Sequence, residues 1–206
     1  MTFNICVLIS GNGTNLQAII DAIESKYLNV CIKVVISNKE TAYGLERAKK
    51  ASIETRVFSL QKYLKQDPIN NTRSTYGLEL AKIIREYSSI DLIVLAGWMI
   101  ILPATFLKEF TDNKPTIDII NLHPALPGQY PGAHAIERAF NDFKENKIKH
   151  SGIMIHKVIE EVDAGEVILT KEIPILPTDT LESLEERFHQ QEHKSLVESI
   201  KLLSTK

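Results

Sequence analysis

"ICVLISGNGTNLQAIIDAI", residues 5–23, passes from an apolar run through a glycine-rich loop into a helical pattern. The run Asn4–Ser10 is short and nearly all apolar, as a strand buried on both faces should be. Leu16, Ile19, Ile20 and Ile23 then recur at helical spacing, which starts a helix near Asn15. The same alternation continues down the chain. "VCIKVVISN" (30–38) reads as a second strand, "YGLERAKKA" (43–51) as a helix and "TRVFSL" (55–60) as a third strand. A polar loop is expected from Gln61 to Thr72. Tyr76, Leu80, Ile83, Ile84 and Tyr87 then mark a helix that leads into the strand "DLIVLAG" (91–97). A short helical piece around Pro103–Phe110 precedes a strand ending in "NLH" (121–123).

Alternating strands and helices predict an α/β fold, a doubly wound and mostly parallel sheet. Beyond Gly132 the pattern changes. A helix over Ala133–Lys144 is followed by "SGIMIHKVI" and "EVILTKEIPI", two strand-like runs joined by "EEVDAG". They predict an antiparallel hairpin at the C-terminal edge of the sheet. A long terminal helix follows, with Asp179 and Glu182 at capping-box spacing.

At 206 residues with 44% hydrophobic and 24% charged content, the chain is of ordinary globular composition, and one domain is expected. A net charge of -2 with scattered basic residues gives no footprint for nucleic acid. The longest apolar run, "LIVLAGWMIIL", is about half of the roughly 20 residues a spanning helix needs, so no membrane role is expected. No secretory signal opens the chain, and the expected location is cytoplasmic. Cys6 and Cys31 lie in apolar strand-like runs and read as small buried hydrophobes. His189 and His193 are four apart, but "HQQEH" is not H-E-x-x-H and no third ligand stands out, so no metal site is expected.

The loop "SGNGTN" (10–15) sits where a first helix offers free N–H groups and its positive end. Leu16 occupies the third glycine position of the dinucleotide fingerprint, and no G-K-[ST] follows. Two readings stay open on this signal: a phosphate site, or a plain turn with Thr14 or Asn15 as helix cap. Asn121 and His123 share one face at a strand's carboxyl end, where sites of this fold class lie. Asp163, in the hairpin turn, is either a turn former or the third member of a set for acyl chemistry. In that set the amide donates to an oxyanion, the imidazole shuttles a proton and the carboxylate orients it. There is no nucleophile elbow, and both cysteines lie in strands, so the attacking group must belong to a substrate. Glu192 interrupts the apolar stripe Leu184, Phe188, Leu196, Ile200, which requires a partner or a cavity.

Together "ICVLISGNGTNLQAIIDAI", "VVISNKETAYGLERAKKA", "VLAGWMIILP", "IINLHPAL", "HKVIEEVDAGEVI" and "QQEH" resemble the phosphoribosylglycinamide formyltransferase family over essentially the whole chain. The resemblance implies formyl transfer from 10-formyltetrahydrofolate, a co-substrate, to the amine of glycinamide ribonucleotide in purine biosynthesis, with no metal. It implies Asn121, His123 and Asp163 as the catalytic set, with His123 protonated as it stabilises the oxyanion. Gly11, Gly13, Thr14 and Asn15 would take the phosphate, and Glu192 with His189 would contact the ribonucleotide. Arg73, Met99, Ile100, Ile101 and Leu102 would form one folate wall, and Val158, Ile159, Glu160, Glu161 and Asp163 another. The chain would be one formyltransferase domain over 1–206. Its phosphate-binding half would span about 1–100, and its folate-binding and catalytic half about 101–206. Three departures stand out: "HPALPG" for the family's frequent "HPSLLP", Ile100 for a common arginine, and His189 for a common glutamine. Hydrolysis of formyltetrahydrofolate and a non-catalytic folate- or nucleotide-binding module are the alternatives. Monomer and dimer both stay open.

Overall fold

A computed structural model describes residues 2–112 and 115–205. The element order is β1 (Phe3–Ile9), α1 (Thr14–Glu24), β2 (Val30–Ser37), α2 (Gly44–Lys50), β3 (Thr55–Val57), α3 (Leu60–Gln66), α4 (Arg73–Arg85), β4 (Leu92–Leu95), α5 (Ala104–Thr111), β5 (Asp118–His123), α6 (Ala135–Lys144), β6 (His150–Lys157), β7 (Val167–Pro174) and α7 (Leu181–Ser204). The sheet runs β3-β2-β1-β4-β5-β6-β7. β1 pairs in parallel with β2 and β4, β2 with β3, and β6 pairs antiparallel with β7. This is the predicted mostly parallel sheet with an antiparallel C-terminal edge.

The chain divides into two compact units, residues 1–120 and 121–206. In the first, every residue of β1 from Asn4 on is buried, as a strand covered on both faces requires. Each fully buried Ile, Leu or Val there contributes roughly 1.5–3 kcal/mol of transfer free energy. The strand order reverses direction at β1, whose neighbours are β2 on one side and β4 on the other. The loops after β1 and β4 therefore diverge at a topological switch point, where α/β sheets bind ligands. A bond from the Met99 N–H to Ser10 Oγ, 2.8 Å, ties these two loops together. In the second unit, α6, β6, β7 and α7 enclose a core of Phe140, Ile153, Ile173, Ile175, Leu184 and Phe188.

Two local expectations are corrected. The stretch expected as a polar loop contains α3, capped by Ser59 Oγ accepting from the Lys62 N–H. Its Tyr63 packs edge-on against Phe58 and Tyr76, and that aromatic contact stabilises a turn the local sequence does not specify. The cap of α7 is Thr180, paired with Ser183 in a reciprocal box, one residue beyond the expected Asp179. Asp179 is instead held by Arg187 through two bonds of 2.6 and 2.7 Å. That guanidinium holds the Asp179 carboxyl well below the usual carboxylate range.

Candidate active site

β5 ends in Asn121 and His123, two residues apart and so on one face of the strand. His123 is 3% exposed. The turn between β6 and β7 brings Asp163 to it. The close return of this turn depends on Gly165, where a Cβ would collide with the Lys157 carbonyl oxygen. Asp163 takes a left-handed conformation, φ 56°. Its Oδ2 lies 3.4 Å from His123 Nδ1 and accepts a 2.8 Å bond from the Gly132 N–H. Thus Asp163 is both a turn former and a partner of the histidine, and the two readings of the sequence do not exclude each other.

A fourth group joins them. His156, on β6 and 2% exposed, places Nε2 3.5 Å from Asp163 Oδ1 and 3.3 Å from Asn121 Nδ2. Its Nδ1 is 2.9 Å from the Lys157 carbonyl, which can only accept, so Nδ1 carries the hydrogen. Nε2 therefore faces both the Asn121 amide and the Asp163 carboxylate. The sequence held a signal for this residue: a polar side chain in the apolar strand "GIMIHK" costs free energy unless paired.

The carboxylate sits between two imidazoles, and its protonation follows. Burial pushes the Asp163 carboxyl up, but the His156 imidazole, the Gly132 N–H and the His123 imidazole outweigh it, leaving its pKa below the ordinary value. For His123 the balance goes the other way. Burial lowers its pKa below the usual imidazole value, and the Asp163 carboxylate together with the Gln129 and Tyr130 backbone only partly opposes this. Burial thus favours the neutral imidazole before the substrates react. In the tautomer that places the Nδ1 hydrogen toward Asp163 Oδ2, 3.4 Å away, Nε2 carries the lone pair. That atom is buried and has no hydrogen-bond partner among the described residues. A buried unsatisfied polar atom costs about 1–3 kcal/mol, so packing does not explain it. A base with a free lone pair beside an amide donor can accept a proton from a nucleophile while the amide stabilises an oxyanion.

The other expected residues occupy two further places. In the first unit, Gly13 is the N-cap of α1 at φ 74°, with no side-chain cap, and Thr14 and Asn15 lie inside the first turn. The alternative in which Thr14 or Asn15 caps the helix is thereby removed. Gly11 is exposed, and Asn15 Oδ1 is a second buried acceptor without a partner among the described residues. Arg73 donates to the Ile101 carbonyl at 3.1 Å, which joins two of the expected folate residues. Met99 and Ile101 are 71% and 61% exposed, while Leu102 is buried and Ile100 half-buried. In the second unit, Ile159, Glu160 and Glu161 are exposed and Val158 is half-buried. On α7, Glu192 is 6% exposed in line with Leu184, Phe188, Leu196 and Ile200, and His189 is exposed. Among the described residues no cluster of three or more His, Cys, Asp or Glu could hold a metal, and no helix is long and apolar enough to cross a membrane.

Similar proteins share both sequence and architecture. The phosphoribosylglycinamide formyltransferase of Schizosaccharomyces pombe is 49% identical over 208 residues, covering 100% of this chain and 99% of that protein. The trifunctional purine biosynthetic protein adenosine-3 of Drosophila melanogaster is 36% identical over 201 residues, 97% of this chain and 14% of that one. The crystal structure of glycinamide ribonucleotide transformylase 1 from Symbiobacterium toebii superposes with a TM-score of 0.86 at 34% identity, covering 99% of this chain and 88% of that chain. The formyl transferase family model matches residues 3–200, and the chain belongs to that family.

Proposed function

We infer that the protein transfers the formyl group of 10-formyltetrahydrofolate to the amine of glycinamide ribonucleotide, in purine biosynthesis. The observation that carries this reading is the cluster of Asn121 and Asp163 with the buried His123 and His156, with His123 Nε2 left without a partner among the described residues. The naming of relatives that align along the full chain supports the substrates. The family match over residues 3–200 supports one formyltransferase domain.

The amine nitrogen attacks the formyl carbon, and the carbonyl electron pair moves to oxygen. Asn121 donates to that oxygen through its side-chain amide. As the new C–N bond forms, the nitrogen becomes acidic and His123 Nε2 takes its proton. The imidazolium so formed is stabilised by Asp163 and now lies beside the oxyanion. When the intermediate collapses, the bond from the formyl carbon to the folate nitrogen breaks, and His123 returns the proton to that nitrogen. The proton count closes, and no enzyme-bound acyl group forms. Gly11, Gly13, Thr14 and Asn15 take the ribonucleotide phosphate, and Glu192 and His189 contact the same substrate. Arg73, Met99, Ile100, Ile101 and Leu102 from the first unit, and Val158, Ile159, Glu160 and Glu161 from the second, are assigned to the folate.

The test is an assay with both substrates. Formyl-ribonucleotide should appear in step with tetrahydrofolate. Release of free formate at the same rate without the ribonucleotide would support hydrolysis instead, and binding without turnover would support a non-catalytic module.

A further inference from the structure

The glycine loop is held from one side by α2. The Gly44 N–H donates to the Gly11 carbonyl at 3.1 Å. Three residues on, half-buried Arg47 donates from Nε to the Asn12 carbonyl at 2.9 Å, from Nη2 to Asn12 Oδ1 at 3.4 Å and from Nη1 to Gln17 Oε1 at 3.2 Å. Its guanidinium carbon stands 5.0 Å from the centroid of the Tyr43 ring, which fixes the far face of the fork.

These bonds orient more than the oxygens they touch. A trans peptide is planar, so the C=O of one residue and the N–H of the next point in opposite directions. Pulling the Gly11 and Asn12 carbonyls toward α2 turns the Asn12 and Gly13 N–H groups away from it. The left-handed Gly13 then leads into the first turn of α1, whose own N–H groups lack a side-chain cap. Successive N–H groups on one side of a loop form an anion-binding concavity. We propose that Arg47 is a positioning residue for the ribonucleotide phosphate: it sets the Asn12–Gly13 peptide plane, beside the Gly11–Asn12 plane held by Gly44, and adds a positive charge next to them without itself touching the phosphate. The proposal rests on the phosphate reading of the loop given above.

The test uses the full-length enzyme, inorganic phosphate as the probe, and the variants Arg47→Met and Arg47→Lys. In the native enzyme, phosphate should compete with the ribonucleotide and move the Asn12 and Gly13 amide resonances. Arg47→Met should raise the ribonucleotide KM about tenfold, the scale of one charge-assisted hydrogen bond, and weaken phosphate competition by a similar factor. The folate KM should stay within about twofold. Arg47→Lys keeps the charge but not the fork, so it should recover only part of the loss. Phosphate that competes equally well in native and Met enzymes would overturn the role of Arg47 while leaving the phosphate site standing. Full recovery by lysine would overturn the positioning role in favour of charge alone. Absence of competition in the native enzyme would remove the phosphate site, and the proposal with it. If the Met variant does not fold, the amide shifts of native enzyme and the lysine variant still decide: amides that do not move on adding phosphate overturn the proposal.

Discussion

The glycine loop after β1 and the polar cluster at the end of β5 both contain residues that ordinary strands and helices avoid. They differ in what accounts for those residues. Gly13 has a positive φ, and a Cβ on it would stand 2.6 Å from the Gly44 Cα, while a Cβ on Gly44 would meet Ile9 Cδ1 at 2.6 Å. The contact of loop with helix therefore explains both glycines without any ligand. No such explanation serves the second region. Burying His123, His156 and the carboxylate of Asp163 costs solvation, and His123 Nε2 receives no hydrogen bond among the described residues in return. An unusual residue that packing explains is weak evidence of chemistry, and one that packing penalises is stronger.

The comparison is broken most directly by removing the costly groups. Asn121→Ala and His123→Ala should each lower kcat by roughly 10² or more, since oxyanion donors and proton shuttles carry effects of that size. Both variants should still fold, with a modest loss of melting temperature from the partners left behind, His156 for Asn121→Ala and the Asp163 carboxylate for His123→Ala. A variant with near-native kcat, measured by single-turnover formyl transfer, would end the catalytic assignment of that residue. Unfolding of both variants would place the cluster with the glycines, as structure.

The glycine loop should fail in the opposite way. Gly13→Ala places a Cβ in a left-handed residue, at roughly 1–2 kcal/mol, and pushes α2 away as well. For a chain of this length each lost kcal/mol lowers the melting temperature by about 2–4 °C, so a fall of several degrees is expected. The ribonucleotide KM should rise with it, because the loop loses its seat on α2. A variant that separated a phosphate role from a folding role would have to leave the loop's packing intact. The packing shows that Gly13→Ala combines the two, and Arg47→Met makes the cleaner cut. A Gly13→Ala enzyme with native stability and a raised KM for the ribonucleotide only would show that the Gly44 contact matters less than its geometry implies.

What could be read from the chain follows the same division. The strands were legible because buried parallel strands are written as unbroken apolar runs, and the Asn121–His123 pair because strand parity is local. Asp163 was legible as a turn residue, and its role needed the turn to close over β5. His156 was passed over inside an apolar run, though the cost of burying it was readable. Arg47 gave no signal: an arginine on an amphipathic helix is ordinary until the loop it grips lies 35 residues upstream. The α3 turn and the Thr180 cap were misread for a related reason. Tyr63 finds its support in Phe58 and Tyr76, and Asp179 is drawn from the cap position by Arg187. Local patterns end where such partners begin.

The smallest expected effect tests how the cluster is tuned. His123 must be neutral to accept the amine's proton, so kcat should rise with pH through the His123 pKa and level off above it. Burial holds that pKa below the ordinary imidazole value, and the Asp163 carboxylate opposes burial. Asp163→Asn removes the opposing charge and leaves the burial, so the pKa should fall further and the acid limb should move to lower pH. The plateau kcat should fall too, because the imidazolium formed during transfer loses its counter-charge. The stability of the fold carries the same sign. A group whose folded pKa is depressed contributes stability that is present above its unfolded pKa and lost as pH falls through the folded one. For Asp163 that window lies below the ordinary carboxylate pKa, since its own value is lowered. Native enzyme should therefore lose this contribution only in strong acid, and the Asn variant should show no such loss from this site. Measuring kcat against pH and acid unfolding for both proteins separates two roles for the carboxylate. An acid limb that stays in place while only the folate KM rises would make Asp163 a ligand contact. An acid limb that moves to higher pH would mean that the carboxylate does not act on His123 as a charge at all.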